Sequence, residues 1–247
     1  MLRSRIIPSL LIDNGDLIKS KKFSNDRYIG DPMNAVRIFN EKMVDELMIF
    51  DVTATLSNRE PDMPLLIDIA KAARMPLCYG GGIHDVEQTV ELVKAGFEKI
   101  SVSSSAIKNP TILEEMARLI GAQSVVLSLD VSRDSYSEDG YGIFTHRASV
   151  NANLSLSSAL KLANEAGVGE LVINSIDRDG TMLGYDLELA QKVVSCSNCP
   201  VTFLGGAGEL MHIIELLKTV GTVGAAAGSM FVFKGINNAV LLSYERP

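Results

Sequence analysis

Short runs rich in Val, Ile and Leu recur along the chain, and each is followed by a longer stretch whose apolar residues fall at helical spacing. That alternation predicts parallel strands joined by crossover helices. Strands are expected at Ile6–Ile12, Glu46–Val52, Pro76–Tyr79, Lys99–Ser103, Ser124–Asp130, Glu170–Ser175, Val201–Leu204 and Val223–Ala227. Helices are expected between them, among others at Asp31–Lys42, Val86–Ala95 and Pro110–Leu119. Eight such strands favour closure into a (βα)8 TIM barrel over an open sheet. The stretch Ser132–Arg147 lacks helical periodicity and contains Glu138-Asp139-Gly140-Tyr141, which predicts a hairpin inserted after the fifth strand.

The two halves repeat. Glu46-Leu47 followed by Gly81-Gly82-Ile83 recurs 124 positions later as Glu170-Leu171 followed by Gly205-Gly206-Ala207, the mark of two fused half-barrels. Glycine clusters therefore stand just past the third strand (Gly80, Gly81, Gly82) and the seventh (Gly205, Gly206, Gly208). Backbone without Cβ atoms lets N–H groups approach an oxyanion, and a following helix N-terminus favours negative charge. Ser103, Ser104 and Ser105 follow the fourth strand, and Gly228 and Ser229 the eighth. One phosphate is expected at Gly205 and Ser229 and a second at Gly82 and Ser104, so that a ligand with a phosphate at each end would span the barrel mouth.

The chain has 247 residues, 47% of them hydrophobic and 21% charged. That suits one barrel domain over residues 1–247 and excludes extensive disorder. The net charge of −7, with no basic block, argues against a nucleic-acid reader while leaving room for a local phosphate pocket. Cys78, Cys196 and Cys199 form no disulfide framework, and the Cys196/Cys199 pair has no second pair to make a zinc site. With no apolar run long enough for a membrane span and no signal peptide, a cytoplasmic protein is expected. His84, His146 and His212 lack metal-ligand spacing, and no metal or cofactor is expected.

Carboxylates gather at predicted strand ends: Asp51, Asp130, Asp177 and Asp179. The carboxyl ends of barrel strands carry the active site, so each is an acid/base candidate. Asp51, Asp177 and Asp179 could equally cap a turn. Asp130 ends an apolar strand at the inward parity of Val126 and Ser128, which makes it the stronger candidate. At the opposite end, Arg5, Glu46, Lys99 and Glu170 each open a strand. By themselves these four read as surface charges, although two cations and two anions in one ring could pair.

Several segments together resemble HisF, the cyclase subunit of imidazole glycerol phosphate synthase. They are Arg5-Ile6-Ile7, Gly30-Asp31-Pro32, Asp45-Glu46-Leu47, Asp51-Val52-Thr53-Ala54, Gly80-Gly81-Gly82-Ile83-His84-Asp85, Ser175-Ile176-Asp177-Arg178-Asp179-Gly180-Thr181 and Gly205-Gly206-Ala207-Gly208. The resemblance implies a (βα)8 barrel that receives ammonia from a HisH-like glutaminase docked on its amino-end face. It also implies that Arg5, Glu46, Lys99 and Glu170 form the charged gate through which ammonia enters. Gly82, Ser103, Ser104, Gly205, Gly206, Gly228 and Ser229 then hold a small phosphorylated ligand. Asp177, Gly180 and Lys19, the last on a mobile loop after the first strand, complete that binding set. HisF chemistry uses two carboxylates across the barrel mouth. Asp130 matches the one on the fifth strand, but the position of the other is Leu11. Asp13 shares its facing two residues on, a displacement of roughly 6–7 Å.

A kept gate with half of the acid/base pair lost resembles a HisF-like branch. In that branch the barrel supplies ammonia to a sugar amidotransferase making acetamidino groups on bacterial surface sugars. The opening Ile7-Pro8-Ser9-Leu10-Leu11 and the closing Ala226-Ala227-Gly228-Ser229-Met230-Phe231-Val232-Phe233 resemble the same branch. The alternatives are an authentic cyclase of histidine biosynthesis and a sensor of a phosphorylated metabolite that activates the glutaminase.

Overall fold

The structure is a computed structural model that describes residues 3–246. Its strands are β1 (Arg5–Asp13), β2 (Asp16–Lys21), β3 (Ser24–Gly30), β4 (Leu47–Asp51), β5 (Leu77–Gly80), β6 (Lys99–Val102), β7 (Val125–Arg133), β8 (Tyr141–Thr145), β9 (Val150–Ser155), β10 (Glu170–Ser175), β11 (Val201–Leu204), β12 (Gly224–Ala227), β13 (Phe233–Lys234) and β14 (Ala239–Val240). Its helices are α1 (Pro32–Lys42), α2 (Met63–Ala72), α3 (Val86–Ala95), α4 (Ser104–Lys108), α5 (Thr111–Ile120), α6 (Leu156–Ala166), α7 (Leu187–Cys196), α8 (Leu210–Val220) and α9 (Ser229–Val232).

Eight strands, β1, β4, β5, β6, β7, β10, β11 and β12, pair in parallel in that order, and β12 returns to β1. The ring is closed, so none of these eight strands is a sheet edge. The outward side chains of these strands meet the helices in one large apolar cluster that includes Phe39, Leu47, Tyr79, Phe97, Leu113, Leu171 and Phe231.

Local chemistry sets the helix starts. Asp31, expected as the first residue of its helix, is instead the cap of α1: its carboxylate accepts the Met33 N–H at 2.6 Å, with Pro32 in the first turn. Asp85 and Gln88 form a reciprocal capping box on α3. Asp186 caps α7 through the Leu189 N–H.

Two insertions cover the carboxyl end. The expected hairpin after the fifth barrel strand is present, but β7 runs on to Arg133, and a third strand, β9, pairs antiparallel with β8. After the first barrel strand stands a second antiparallel hairpin, β2 and β3, where a mobile loop was expected. Its alternation is masked in sequence because Lys19 and Ser20, both polar, are buried along with Leu17 and Ile18. Among the described residues, no helix is long and apolar enough to cross a membrane.

Candidate functional site

Alternation along the barrel strands sorts their inward side chains into tiers. The lowest holds Arg5, Glu46, Lys99, Glu170 and Thr202. Arg5 donates to Glu46 at 2.5 Å and to Glu170 at 2.6 Å, and Lys99 donates to Glu46 at 2.8 Å and to Glu170 at 2.7 Å. Each carboxylate thus holds both cations, and the Thr202 hydroxyl adds a 2.5 Å bond to Glu170. Burial opposes the charge on Arg5 and on Lys99, but the two glutamates outweigh it and raise both pKa values. Burial likewise pushes Glu170 up, yet Arg5 and Lys99 hold it below the usual carboxylate range. A reading of these four as separate surface charges is wrong: both glutamate side chains are only 3% exposed.

Above the ring lies an apolar tier of Ile7, Met48, Cys78, Val126, Val172 and Ala226, each fully buried. Burial, reinforced by Glu46 and Glu170, raises the Cys78 thiol well above its ordinary pKa and keeps it neutral. Entering this tier would cost an ion far more hydration free energy than a small neutral molecule.

The third tier opens into a cavity of about 800 Å³ at the carboxyl end. Ser9, Leu11, Phe50, Gly80, Ser101, Ser128, Asp130, Asn174 and Leu204 form its floor by strand parity, and all of them line it. The Asp130 carboxylate accepts the side-chain N–H of Asn174, its register partner, at 3.1 Å. Loss of water around Asp130 pushes its pKa up to about 7, against the lowering effect of that bond and with a further rise from Asp179. Leu11 lines the same cavity, whereas Asp13, half-buried, accepts from the Thr53 hydroxyl at 2.8 Å and is not a lining residue. Asp51 faces the cavity but is held by the N–H groups of Thr53 and Ala54 and by Arg59 at 3.6 Å, the turn-capping role.

The expected phosphate positions converge on the rim. Gly82, Ser103, Ser104, Gly180, Gly205, Gly206, Gly228, Ser229 and Lys19 all line the cavity. Glycine is required at Gly82, where φ is +70° and a Cβ would stand 2.6 Å from the Arg59 carbonyl, and at Gly205, where φ is +98° and the Ser175 carbonyl would be 2.7 Å away. The Ser103 hydroxyl is buried without a partner. Short helices α4 and α9 begin at Ser104 and Ser229, so their first-turn N–H groups have no intrahelical acceptor.

Asp177 departs from expectation. Its carboxylate accepts from the Ser132 hydroxyl at 3.1 Å and the Arg133 N–H at 2.9 Å, tying the β7–β8 hairpin to the barrel, and it does not line the cavity. The lining acid of that loop is Asp179, which pairs with Lys19 at 3.2 Å. Lys19 is itself 6% exposed on β2 rather than on a mobile loop.

The β2–β3 hairpin is latched over one side of the mouth. Arg147 reaches Asp26 at 2.6 Å and the Phe23 carbonyl at 3.1 Å, and the Lys22 N–H bonds the Asp179 carbonyl at 3.1 Å. His146, Arg147 and Ala148 are successive left-handed residues, with φ of 52°, 55° and 63°, a conformation held against its intrinsic cost. Arg59, Lys108 and Arg147 add positive groups to the lining that sequence reasoning did not single out. Ser9 and Asn174 were also missed, although their inward parity was readable from Arg5 and Glu170.

The sequence profile of the family described as "Histidine biosynthesis protein" matches residues 5–237. A protein of Leptospira interrogans provisionally named imidazole glycerol phosphate synthase subunit HisF is 49% identical, over 99% of this chain and 96% of its own. One of Vibrio vulnificus, provisionally named subunit hisF3, is 44% identical over 100% and 95%. The imidazole glycerol phosphate synthase subunit HisF of Streptococcus mutans is 34% identical over 97% and 94%. Matched along nearly its whole length, with a closed barrel beneath the match, the chain belongs to the histidine biosynthesis protein family and, within it, to HisF.

Proposed function

We propose that this HisF barrel receives ammonia from a HisH-like glutaminase at its amino-end face and delivers it for acetamidino formation on a bacterial surface sugar, with no cyclase turnover of its own. One observation supports this: the paired charged ring and the apolar tier above it are intact, while the cavity beyond them has Leu11 where the resemblance to HisF puts the second acid/base carboxylate. Leucine cannot move a proton. Asp13 is bonded to Thr53 outside the lining, and the other lining acids, Asp51 and Asp179, are held by Arg59 and Lys19. Proton transfer demands hydrogen-bond reach to the reacting atom, which Asp130 alone supplies freely. The relative numbered hisF3 is more similar to this chain than the plainly named Streptococcus mutans subunit, as a divergent branch would be.

The rim then binds a phosphorylated small molecule through Gly82, Ser103 and Ser104 on one side and Gly180, Gly205, Gly206, Gly228 and Ser229 on the other, with Lys19 beside them. The second reading, an authentic cyclase of histidine biosynthesis, is favoured by that same pair of glycine and serine sites half a barrel apart, which suit a ligand with two phosphates.

Purified protein is given the imidazole glycerol phosphate synthase precursor and excess ammonium salt, which bypasses any glutaminase. No turnover by a folded barrel is expected. Turnover at the rate of a biosynthetic enzyme overturns the proposal in favour of the second reading.

A further inference from the structure

The half-barrel repeat pairs the two glycine loops residue by residue. The 124-residue offset that carries Gly82 onto Gly206 also carries His84 onto Gly208, Asp85 onto Glu209 and Gln88 onto His212. Hydrogen bonds keep the correspondence. In the first half the His84 N–H donates to Gln88 Oε1 at 2.9 Å, and in the second the Gly208 N–H donates to His212 Nδ1 at 3.1 Å. Each bond ties the end of a glycine loop to the first turn of the helix that follows, α3 or α8. Asp85 backs the first tie by capping α3 through the Gln88 N–H, whereas Glu209 makes no side-chain cap on α8. The two acceptors also differ in chemistry. An amide oxygen accepts at any ordinary pH, but an imidazole nitrogen accepts only while it carries no proton, a state that imidazoles leave between about pH 8 and 5.

His212 sits where three segments meet. Its ring packs on the turn after β10, where a Cβ on Gly184 would stand 3.4 Å from His212 Cδ2. Gly184 in turn donates its N–H to the Gly206 carbonyl at 2.8 Å. A Cβ on Gly208 would lie 2.6 Å from the Met182 carbonyl oxygen, so loop and turn touch backbone to backbone. Gly205, Gly206 and Ala207 line the cavity, but Gly208 and His212 do not, so His212 acts on a ligand only through the loop. The charged groups around the ring are Glu209 on its own helix, 3.7 Å from Nε2, exposed Glu215 one turn on, and Arg178 on the packed turn, whose guanidinium donates to the Leu183 carbonyl at 3.5 Å. Asp179 on that turn is paired with Lys19, Asp186 caps α7, and Glu188 on α7 is paired with Arg133 and Lys192.

We propose that neutral His212 is a positioning residue that holds the Gly205–Gly208 loop in its anion-binding form, and that its protonation loosens this phosphate site while the Gly82 and Ser104 site, tied by Gln88, stays held. The proposal rests on the phosphate reading of the rim given above. A proton taken from solvent at Nδ1 removes the acceptor of the Gly208 N–H and sets a donor against a donor. The new charge lies beside Glu209 and outside the cavity lining, so it is neutralised there and does not reach the ligand. Loss of loop order then weakens binding, because an oxyanion is held by several N–H groups aimed in advance.

Sulfate is the probe, since unlike a phosphate ester it keeps one charge from about pH 5.5 to about pH 8. Its affinity is read from the amide signals of Gly206 and Ser229 at one site and of Gly82 and Ser104 at the other, in the full chain, in His212→Gln and in His212→Ala. His84 and His146 line the cavity in all three proteins, so their titration cancels. At pH 8 the parent and His212→Gln should bind alike at Gly206 and Ser229, and His212→Ala about fivefold more weakly, the size of one ordinary hydrogen bond. At pH 5.5 the parent should drop to the level of His212→Ala and lie about fivefold below His212→Gln. Binding at Gly82 and Ser104 should be the same in all three. Parent and His212→Gln changing together with pH, or His212→Ala binding like the parent at pH 8, overturns the proposal. The Gly208 amide of the ligand-free protein gives an independent reading: it should titrate with the His212 ring in the parent and stay flat in His212→Gln, and a flat parent signal also overturns the proposal. Sulfate that shifts none of the four amides overturns the phosphate reading, and the Gly208 titration still decides whether His212 ties the loop.

Discussion

Asn174 and Asp130 are register partners on adjacent parallel strands, and the asparagine donates a 3.1 Å hydrogen bond to the aspartate across the barrel floor. The bond lowers the carboxyl's pKa but does not offset its loss of hydration, so Asp130 is left near neutrality at about 7.

That elevated value makes Asp130 a pH-dependent liability. In the unfolded chain it titrates near 4, so between about pH 4 and 7 the native state binds the extra proton and stability falls as pH rises. Asp130→Asn should therefore stabilise the protein more at pH 8 than at pH 5, by about 1–2 kcal/mol after allowing for water in the cavity. Denaturant unfolding at the two pH values measures the difference, and an equal effect at both would show that Asp130 titrates normally.

Glu170 behaves in the opposite sense. Arg5 and Lys99 hold its pKa down, so its contribution is present above the unfolded value near 4.3 and is lost as pH falls through the lower folded one. Glu170→Gln leaves two cations sharing Glu46 and should cost about 3 kcal/mol at neutral pH, with a smaller deficit in acid. Thermal melts across that range read both. A neutral effect at pH 7 would mean that the ring gains nothing over its desolvation.

Leu11→Asp restores a carboxylate to the cavity that holds Asp130. If the absent acid/base group is what silences cyclase chemistry, the variant should turn over the precursor with ammonium salt at a rate at least tenfold above the parent, for which general acid–base catalysis typically offers about 10²–10⁴-fold. A folded variant with no gain would place the block elsewhere in the cavity.

Arg147 fastens the β2–β3 hairpin from outside the barrel through Asp26 and the Phe23 carbonyl. Arg147→Ala should speed amide exchange over residues 16–30 several-fold while changing global stability by less than about 1 kcal/mol, since the pair lies near the surface. Unchanged exchange would assign the closure of the hairpin to the Lys19–Asp179 pair instead.

Much of the fold and of the cavity rim is legible in the sequence. The strands Glu170–Ser175 and Val201–Leu204 and the helix Val86–Ala95 lie where hydrophobic period and Gly, Pro and Asp punctuation put them. The cavity rim followed from glycine and serine at strand ends, because chain direction alone places every carboxyl end on one face of a barrel. Asp177 and Asp179 could not be told apart: two residues on one turn have the same composition signal, and only the docked hairpins give one to Ser132 and the other to Lys19.

The sequence by itself determined the barrel strands, the two repeated halves and the inward parity of Asp130 and Leu11, since these depend on periodicity, spacing and residue type along the chain, while the carboxylate expected in place of Leu11 came from the resemblance to HisF. Only the tertiary structure decided that Arg5, Glu46, Lys99 and Glu170 close into one paired ring, that Lys19 is buried against Asp179, and that Asn174 turns its amide to Asp130 and leaves an acceptor free. Those facts belong to pairs of residues brought together by closing the sheet on itself, and no local pattern encodes a distance between strands that lie far apart in the chain.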